Sequence, residues 1–222
     1  MRRAIVSLSG GMDSATVLAE AVSWLGNENV ACYGFVYGSK HNKYENYMAV
    51  ALSYRYDVPF TLIDLSTVME HFKSDLLLSG GDIPEGHYEH ESMSRTVVPY
   101  RNMIFISILS GIASSNGFNE IWLGVHAGDH HIYPDCRPMF IRKTQEAILL
   151  GDENTPSIVT PFLNMSKGDI VKRGIELSVP YELTRTCYKQ QEAACGKCGS
   201  CVERLEAFAD NNVTDPIIYE KD

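Results

Sequence analysis

The chain has 222 residues, 45 % of them hydrophobic, which is enough for the core of one domain or of one domain with a small appendage. Its formal net charge is −9, and it has no Lys/Arg cluster, which argues against a tRNA or DNA substrate and for a small molecule. No apolar run approaches the roughly 20 residues needed to cross a bilayer, so no membrane association is expected. The first apolar stretch is too short for a signal peptide, and a cytoplasmic location is expected. Thiols stay reduced there, so six cysteines suggest metal binding or catalysis rather than disulfides.

Arg3 to Leu8 reads as a buried strand, and Ser9-Gly10-Gly11-Met12-Asp13-Ser14 as a tight turn. Ala15 to Ala21 then has helical spacing. Such a turn aims backbone N–H groups and the positive end of a helix at one spot, which suits phosphate. The bland alternative is a glycine-rich βα turn. Asp13 speaks against it, because a carboxylate beside a phosphate needs a cation such as Mg²⁺. No lysine follows the glycines, so this is not the common P-loop. The stretch resembles the SGGxDS pyrophosphate loop of the N-type ATP pyrophosphatases.

Val30 to Tyr37 reads as a second strand, Tyr44 to Tyr56 as a helix and Phe60 to Asp64 as a third strand. Ser79 to Val98 is long, polar and rich in glycine and histidine, which suits a lid or binding loop. Arg101 to Asn116 reads as a helix with Met103, Ile104, Ile108 and Ile112 on one face, and Gly111 allowing close packing. Glu120 to Gly124 is a fourth strand, Arg137 to Leu150 a helix and Ser157 to Thr160 a short strand. Ser166 to Asp169 looks like a capping box opening a helix to Leu177. Strand–helix alternation implies a Rossmann-like α/β fold, a parallel sheet flanked by helices. Ligands then bind beyond the carboxyl ends of the strands.

That rule gathers Ser9 to Ser14, then Lys40 and His41, then Gly124 to Arg137. His126, Asp129, His130 and His131 can be read as a metal cluster or as a polar loop. Asp135 can accept hydrogen bonds from an amidine edge or favour a helix N-terminus. Arg137 can steady phosphate charge or lie on the surface. Cys136 can be a nucleophile or a small buried side chain. His41, His71, His87 and His90 read as surface or lid residues, although His41, which follows a strand end, can also be read as facing the site.

Cys187, Cys195, Cys198 and Cys201 have the spacing C-x7-C-x2-C-x2-C, with Gly196 and Gly199 allowing tight turns. Four thiolates suit tetrahedral Zn²⁺ in a closed structural site. An iron–sulfur cluster and free thiols are the alternatives. The metal would pin a last helix, Val202 to Ala209. A boundary is expected near residue 180, with an ATP pyrophosphatase-like domain over 1–180 and a zinc-binding segment over 181–222.

With both ends read, the chain resembles the QueC family of 7-cyano-7-deazaguanine synthases, in the queuosine pathway. The matching stretches include SGGMDS, VYGSKH, VVPYRNMI, GVHAGDHHIYPDCRPMFI, TPFLNMSKGDIV and TCYKQQEAACGKCGSCVER. The chain departs from the family pattern at Tyr100, where glycine or asparagine is commoner. The resemblance implies a ligase that turns 7-carboxy-7-deazaguanine and ammonia into a nitrile, with ATP and Mg²⁺, through adenylated acid and amide. It implies one structural zinc and a homodimer. Residues Leu8, Ser9, Gly10, Gly11, Met12, Asp13, Ser14, Ala15, Thr16, Val17 and Leu18 would bind ATP. Asp13, Ser14, Arg101, Asp135 and Arg137 would be catalytic. Asn102, Asp129, Tyr133 and Asp135 would contact substrate, and Lys167 is a further candidate. Defence-system relatives that attach a deazaguanine to another partner, and tRNA-base-adenylating relatives, share the same scaffold.

Overall fold

The computed structural model describes residues 2–87 and 90–220. Five parallel strands form one sheet in the order β3-β2-β1-β4-β5. They are β1 (Ala4–Ser7), β2 (Val30–Val36), β3 (Phe60–Asp64), β4 (Glu120–Trp122) and β5 (Ser157–Val159). The central strand β1 pairs with β2 through Ala4–Val30 and with β4 through Ala4–Glu120. The order reverses on the two sides of β1, which places the crevice of a doubly wound sheet at its carboxyl end.

Alternate side chains of β1 feed two cores. Ala4, Val6 and Leu8 pack with α1 (Met12–Leu25), α2 (Asn42–Arg55) and α6 (Lys167–Glu176). Ile5 faces the other way, towards α4 (Arg101–Asn116) and α5 (Pro138–Gly151). The four C-terminal cysteines belong to this second core. A one-turn helix, α3 (Ser66–Met69), and the last helix, α7 (Gly199–Asp210), complete the chain. Helix α7 packs along α6.

The capping box is present, with Ser166 and Asp169 exchanging side-chain and backbone hydrogen bonds. Several expectations shift. Helix α1 begins at Met12, so Asp13 and Ser14 lie in its first turn. Helix α7 begins at Gly199, so Cys201 is helical. The short α3 had no signal in the sequence. On α4 the fully buried residues are Ile106, Leu109 and Ala113, while Met103 is exposed and Ile104, Ile108 and Ile112 pack at the core's edge. Gly111 faces open space, so it serves no close approach. Tyr100, the N-cap of α4, has φ +54°. A left-handed conformation favours glycine and asparagine, which explains the commoner residues at this place.

Described residues of the Ser79 to Val98 loop meet the C-terminal segment; Tyr88 and Glu89 lie outside the described residues. Gly86 donates to the Lys197 carbonyl at 2.9 Å, and Glu85 forms an antiparallel bridge with Cys198. At the loop's base, Arg95 pairs with Asp75 at 2.6 Å.

Candidate active site and metal centre

A cleft opens at the carboxyl end of β1. The turn after β1, the start of α2, the start of α4, the loop after β4, Lys167 of α6 and the segment around Cys187 all line it. Its floor is the glycine-rich turn. Gly10 has φ +91°, and a Cβ there would strike the backbone carbonyl of Glu45 on α2. Only glycine lets α2 lie this close. The Ser14 hydroxyl donates to the Gly11 carbonyl at 3.0 Å and accepts from the Ser9 amide at 3.2 Å. Gly11 is the N-cap of α1 and makes no side-chain cap. The N–H groups of the first turn therefore have no side-chain acceptor from the cap, as an anion site needs. Leu8, Met12, Ala15, Thr16, Val17 and Leu18 are buried and hold this turn against the sheet.

Behind the turn lies a charge cluster drawn from four elements. Lys167 Nζ is 2.7 Å from Oδ2 of Asp13, 3.3 Å from Oε2 of Glu203 and 2.9 Å from Nε2 of His126. His126 is fully buried, and its Nε2 is 3.5 Å from Asp129. Burial alone would push the Asp13 carboxyl up. Lys167 and His126 reverse that and hold it below the usual carboxylate range. For Glu203 burial wins over Lys167, and its carboxyl is raised. Oδ1 of Asp13 is buried without a hydrogen-bond partner.

The opposite wall is aromatic. Phe35 and Phe105 stack at 3.9 Å between centroids. Arg101 lies beside them, 5.9 Å over the ring of Tyr37 and 6.0 Å over that of Tyr133. Its Nη1 reaches the Tyr37 hydroxyl at 3.5 Å. No ion pair to Arg101 forms among the described residues. Tyr133 bonds Thr96 at 3.0 Å and Tyr188 at 3.4 Å, and closes the wall.

The residues singled out in the sequence separate here. Asn102, Asp129 and Tyr133 line the cleft with Arg101. Asp135 does not. Its Oδ2 accepts the Asn102 amide at 3.0 Å and caps α4. Arg137 is exposed and donates to the His130 carbonyl at 2.9 Å. Lys40 turns away to the carbonyls of Asp75 and Gly81. Cys136 is buried against Asn102, and burial pushes its thiol up, so it is no ready nucleophile.

Four sulfurs converge in the segment that sends Thr186, Tyr188 and Ser200 to the cleft. The Sγ atoms of Cys187, Cys195, Cys198 and Cys201 lie within 4.8 Å of one another, and all four residues are buried. Backbone N–H groups of Lys197 and Cys198 point at the Cys195 sulfur at 3.4 and 3.3 Å. Among the described residues this is the one converging group, so His126, His130 and His131 do not form a second.

Residues around the cysteines reach the cleft, and the sequence reading passed over most of them. Arg185 donates its backbone N–H to Gly10 at 2.8 Å, and its guanidinium holds the carbonyls of Lys189, Gln191 and Glu192. Thr186, Tyr188 and Ser200 line the wall. Arg204 is fully buried and ties Thr184 and Thr186 to Asp215. His41 is also in the cleft, 3 % exposed. The apolar neighbours of these polar residues were the one available signal that they are buried.

Comparison with known proteins identifies the family. The model of the family described as queuosine biosynthesis protein QueC matches residues 3–212. A 7-cyano-7-deazaguanine synthase of Alteromonas mediterranea is 44 % identical over 97 % of this chain and 98 % of its own. Its counterpart from Pseudoalteromonas atlantica is 45 % identical over 99 % and 100 %. That from Methanoregula boonei is 44 % identical over 98 % and 99 %. Among solved structures, the U34-tRNA thiolase NcsA from Methanococcus maripaludis with its [4Fe-4S] cluster aligns over 95 % of this chain and 65 % of that one, with TM-score 0.48 and 13 % identity, too slight a likeness to decide anything. The chain thus belongs to the QueC family.

Proposed function

We infer that the chain converts 7-carboxy-7-deazaguanine and ammonia to 7-cyano-7-deazaguanine with ATP, in queuosine biosynthesis. The observation that carries this is Arg101. It is a cation that makes no ion pair among the described residues, set in an aromatic wall and facing the same cleft as the phosphate-type turn. A planar anionic base fits between the two.

A carboxylate is a poor electrophile because its leaving group would be oxide. Transfer of AMP from ATP gives an acyl adenylate, ammonia gives the amide, and a second AMP transfer to the amide oxygen lets that oxygen leave. The turn Ser9 to Ser14 and the start of α1 hold the departing pyrophosphate. Lys167 supplies positive charge beside it. Arg101 holds the substrate carboxyl. Asn102, Asp129 and Tyr133 contact the base, and Asp135 acts by fixing the first turn of α4. Asp13, with its unpartnered Oδ1, suits a cation; Mg²⁺ there would offset phosphate charge.

The four sulfurs suit Zn²⁺. A closed set of thiolates leaves no position for substrate, so the metal's part is to hold Thr186, Tyr188 and Ser200 in the wall. A cytoplasmic setting suits these reduced thiols. A homodimer is proposed on the family resemblance, and Tyr47, Val50 and Tyr54 give α2 an exposed apolar stripe.

The test is AMP and pyrophosphate release with the carboxy-deazaguanine and ammonium, with the product read by mass. A nitrile is expected. Without AMP release or a mass change, the reading fails. Arg101→Gln should raise KM for the carboxylate by about tenfold or more, the loss of about 1.5–3 kcal/mol typical of a charged hydrogen bond, and leave KM for ATP nearly as it was.

A further inference from the structure

The reaction removes protons from nitrogen, and the groups placed so far do not accept them. Arg101 and Lys167 are cations, the ionised carboxyl of Asp13 is tied to Lys167, and the carboxyl of Asp129 lies against the buried His126. His41 is different. It lines the cleft while almost fully buried. Its Nε2 lies 3.2 Å from Oε2 of Glu45, one turn along α2, and 3.4 Å from the Tyr37 hydroxyl. Donation from Nε2–H to the carboxylate sets the tautomer and leaves the lone pair on Nδ1. That atom is buried and has no hydrogen-bond partner. Buried acceptors are nearly always paired, so an unpaired one on a residue that lines the cleft points to a ligand.

The position also fits. The Tyr37 hydroxyl that meets His41 is the one 3.5 Å from Arg101. His41 therefore stands one phenol away from the cation assigned to the substrate carboxyl. Tyr188 covers the imidazole from the cysteine-rich segment, with ring centroids 5.4 Å apart. The titratable and charged groups facing His41 are thus Glu45 on its own helix, Tyr37 from the end of β2, Tyr188, and Arg101 through Tyr37.

We propose that His41 is the base for the amination and dehydration steps, with Glu45 as its positioning residue. This rests on the nitrile-forming reading. The nitrogen lone pair makes the C–N bond to the acyl carbon, a proton on nitrogen passes to Nδ1, and the C–O bond to AMP breaks with its electron pair leaving on AMP. The imidazolium is held beside Glu45 and returns its proton to water. After the amide oxygen takes the second AMP, the two remaining N–H protons leave one at a time by the same route. The C–O bond breaks as the triple bond forms.

The experiment splits the reaction, using the metal-loaded protein and its His41→Gln and Glu45→Gln variants. Exchange of pyrophosphate into ATP, dependent on the carboxy-deazaguanine and run without ammonium, reads adenylation alone. Amide and nitrile formation with ammonium reads the later steps. His41→Gln should keep the exchange and lose about 10²-fold in product formation near neutral pH, the usual worth of a positioned base. The loss should shrink as pH rises and hydroxide takes over the removal of these protons. Glu45→Gln should show the same pattern, more weakly. If exchange and product fall together, if the loss is equal at every pH, or if product formation is unchanged, the proposal is overturned. His41→Asn replaces the glutamine variant if that one does not fold. A parent protein without substrate-dependent exchange would instead sink the nitrile-forming reading itself.

Discussion

Replacing Lys167 by methionine removes an ammonium that is 2.7 Å from Asp13 and 3.3 Å from Glu203, in a side chain only 9 % exposed. Methionine has a similar length, so packing is nearly kept and the charge is what changes. Asp13 and Glu203 are then left in a buried site with His126 as their neighbour. Breaking a buried pair by removing one partner costs about 3–5 kcal/mol. In a domain of this size each kcal/mol moves Tm by about 2–4 °C, so a fall of about 6–20 °C is expected. Adding Glu203→Gln should return part of it, because one stranded charge is gone. The pH dependence has a definite sign. In the parent, Asp13 is held below its ordinary range, so its contribution is present above the unfolded value of about 3.9 and is lost as pH falls through the lower folded value. Without Lys167, burial is opposed only by His126 and Arg204, and the carboxyl rises from its position in the parent. The gap in Tm between parent and variant should therefore narrow on acidification from about pH 8 to about pH 5. Thermal unfolding followed by circular dichroism reads both. A variant that melts within about 2 °C of the parent, with no trend in pH, would refute the charge cluster as the support of the turn.

Three further substitutions have expected outcomes. Gly10→Ala forces a side chain into positive φ and against Glu45, and should cost at least about 2 kcal/mol; calorimetry should show ATP binding lost, and an unchanged Kd would count against the turn as the phosphate site. Cys198→Ser should release the metal, and metal analysis of the parent should give one zinc per chain; iron with visible absorbance would overturn zinc. The same variant should make residues 79–98 easier to cut with protease, since Glu85 and Gly86 pair with Cys198 and Lys197. Tyr100→Gly relieves a left-handed tyrosine at φ +54° and, net of the extra backbone freedom of glycine, should raise stability by about 0.5–1 kcal/mol; a lower Tm would show that the exposed ring does more than strain its backbone.

Much of this protein is decided over short distances along the chain. Ile5 and Val6 lead straight into Gly10 and Gly11, so strand, turn and helix start are dictated by neighbours in sequence. The four cysteines lie within one short segment, and their spacing allows the sulfurs to come together. Tertiary structure decided the rest. Lys167 meets Asp13 across 154 positions, and Glu203 joins them from another helix, because crossovers bring α6 and α7 over α1. The direction of a side chain is equally hidden. Lys40 and Arg137 follow strand ends as His41 does, yet the first two turn to backbone carbonyls of outer loops while His41 enters the cleft, where Arg101 joins it from the start of α4. The helical stripe of α4 was misplaced for a related reason. Its apolar residues surround most of the helix, and which of them is buried depends on where the sheet lies, not on spacing. Local conformational preference is written in a few adjacent residues. Which polar groups share one buried site follows from how the layers pack.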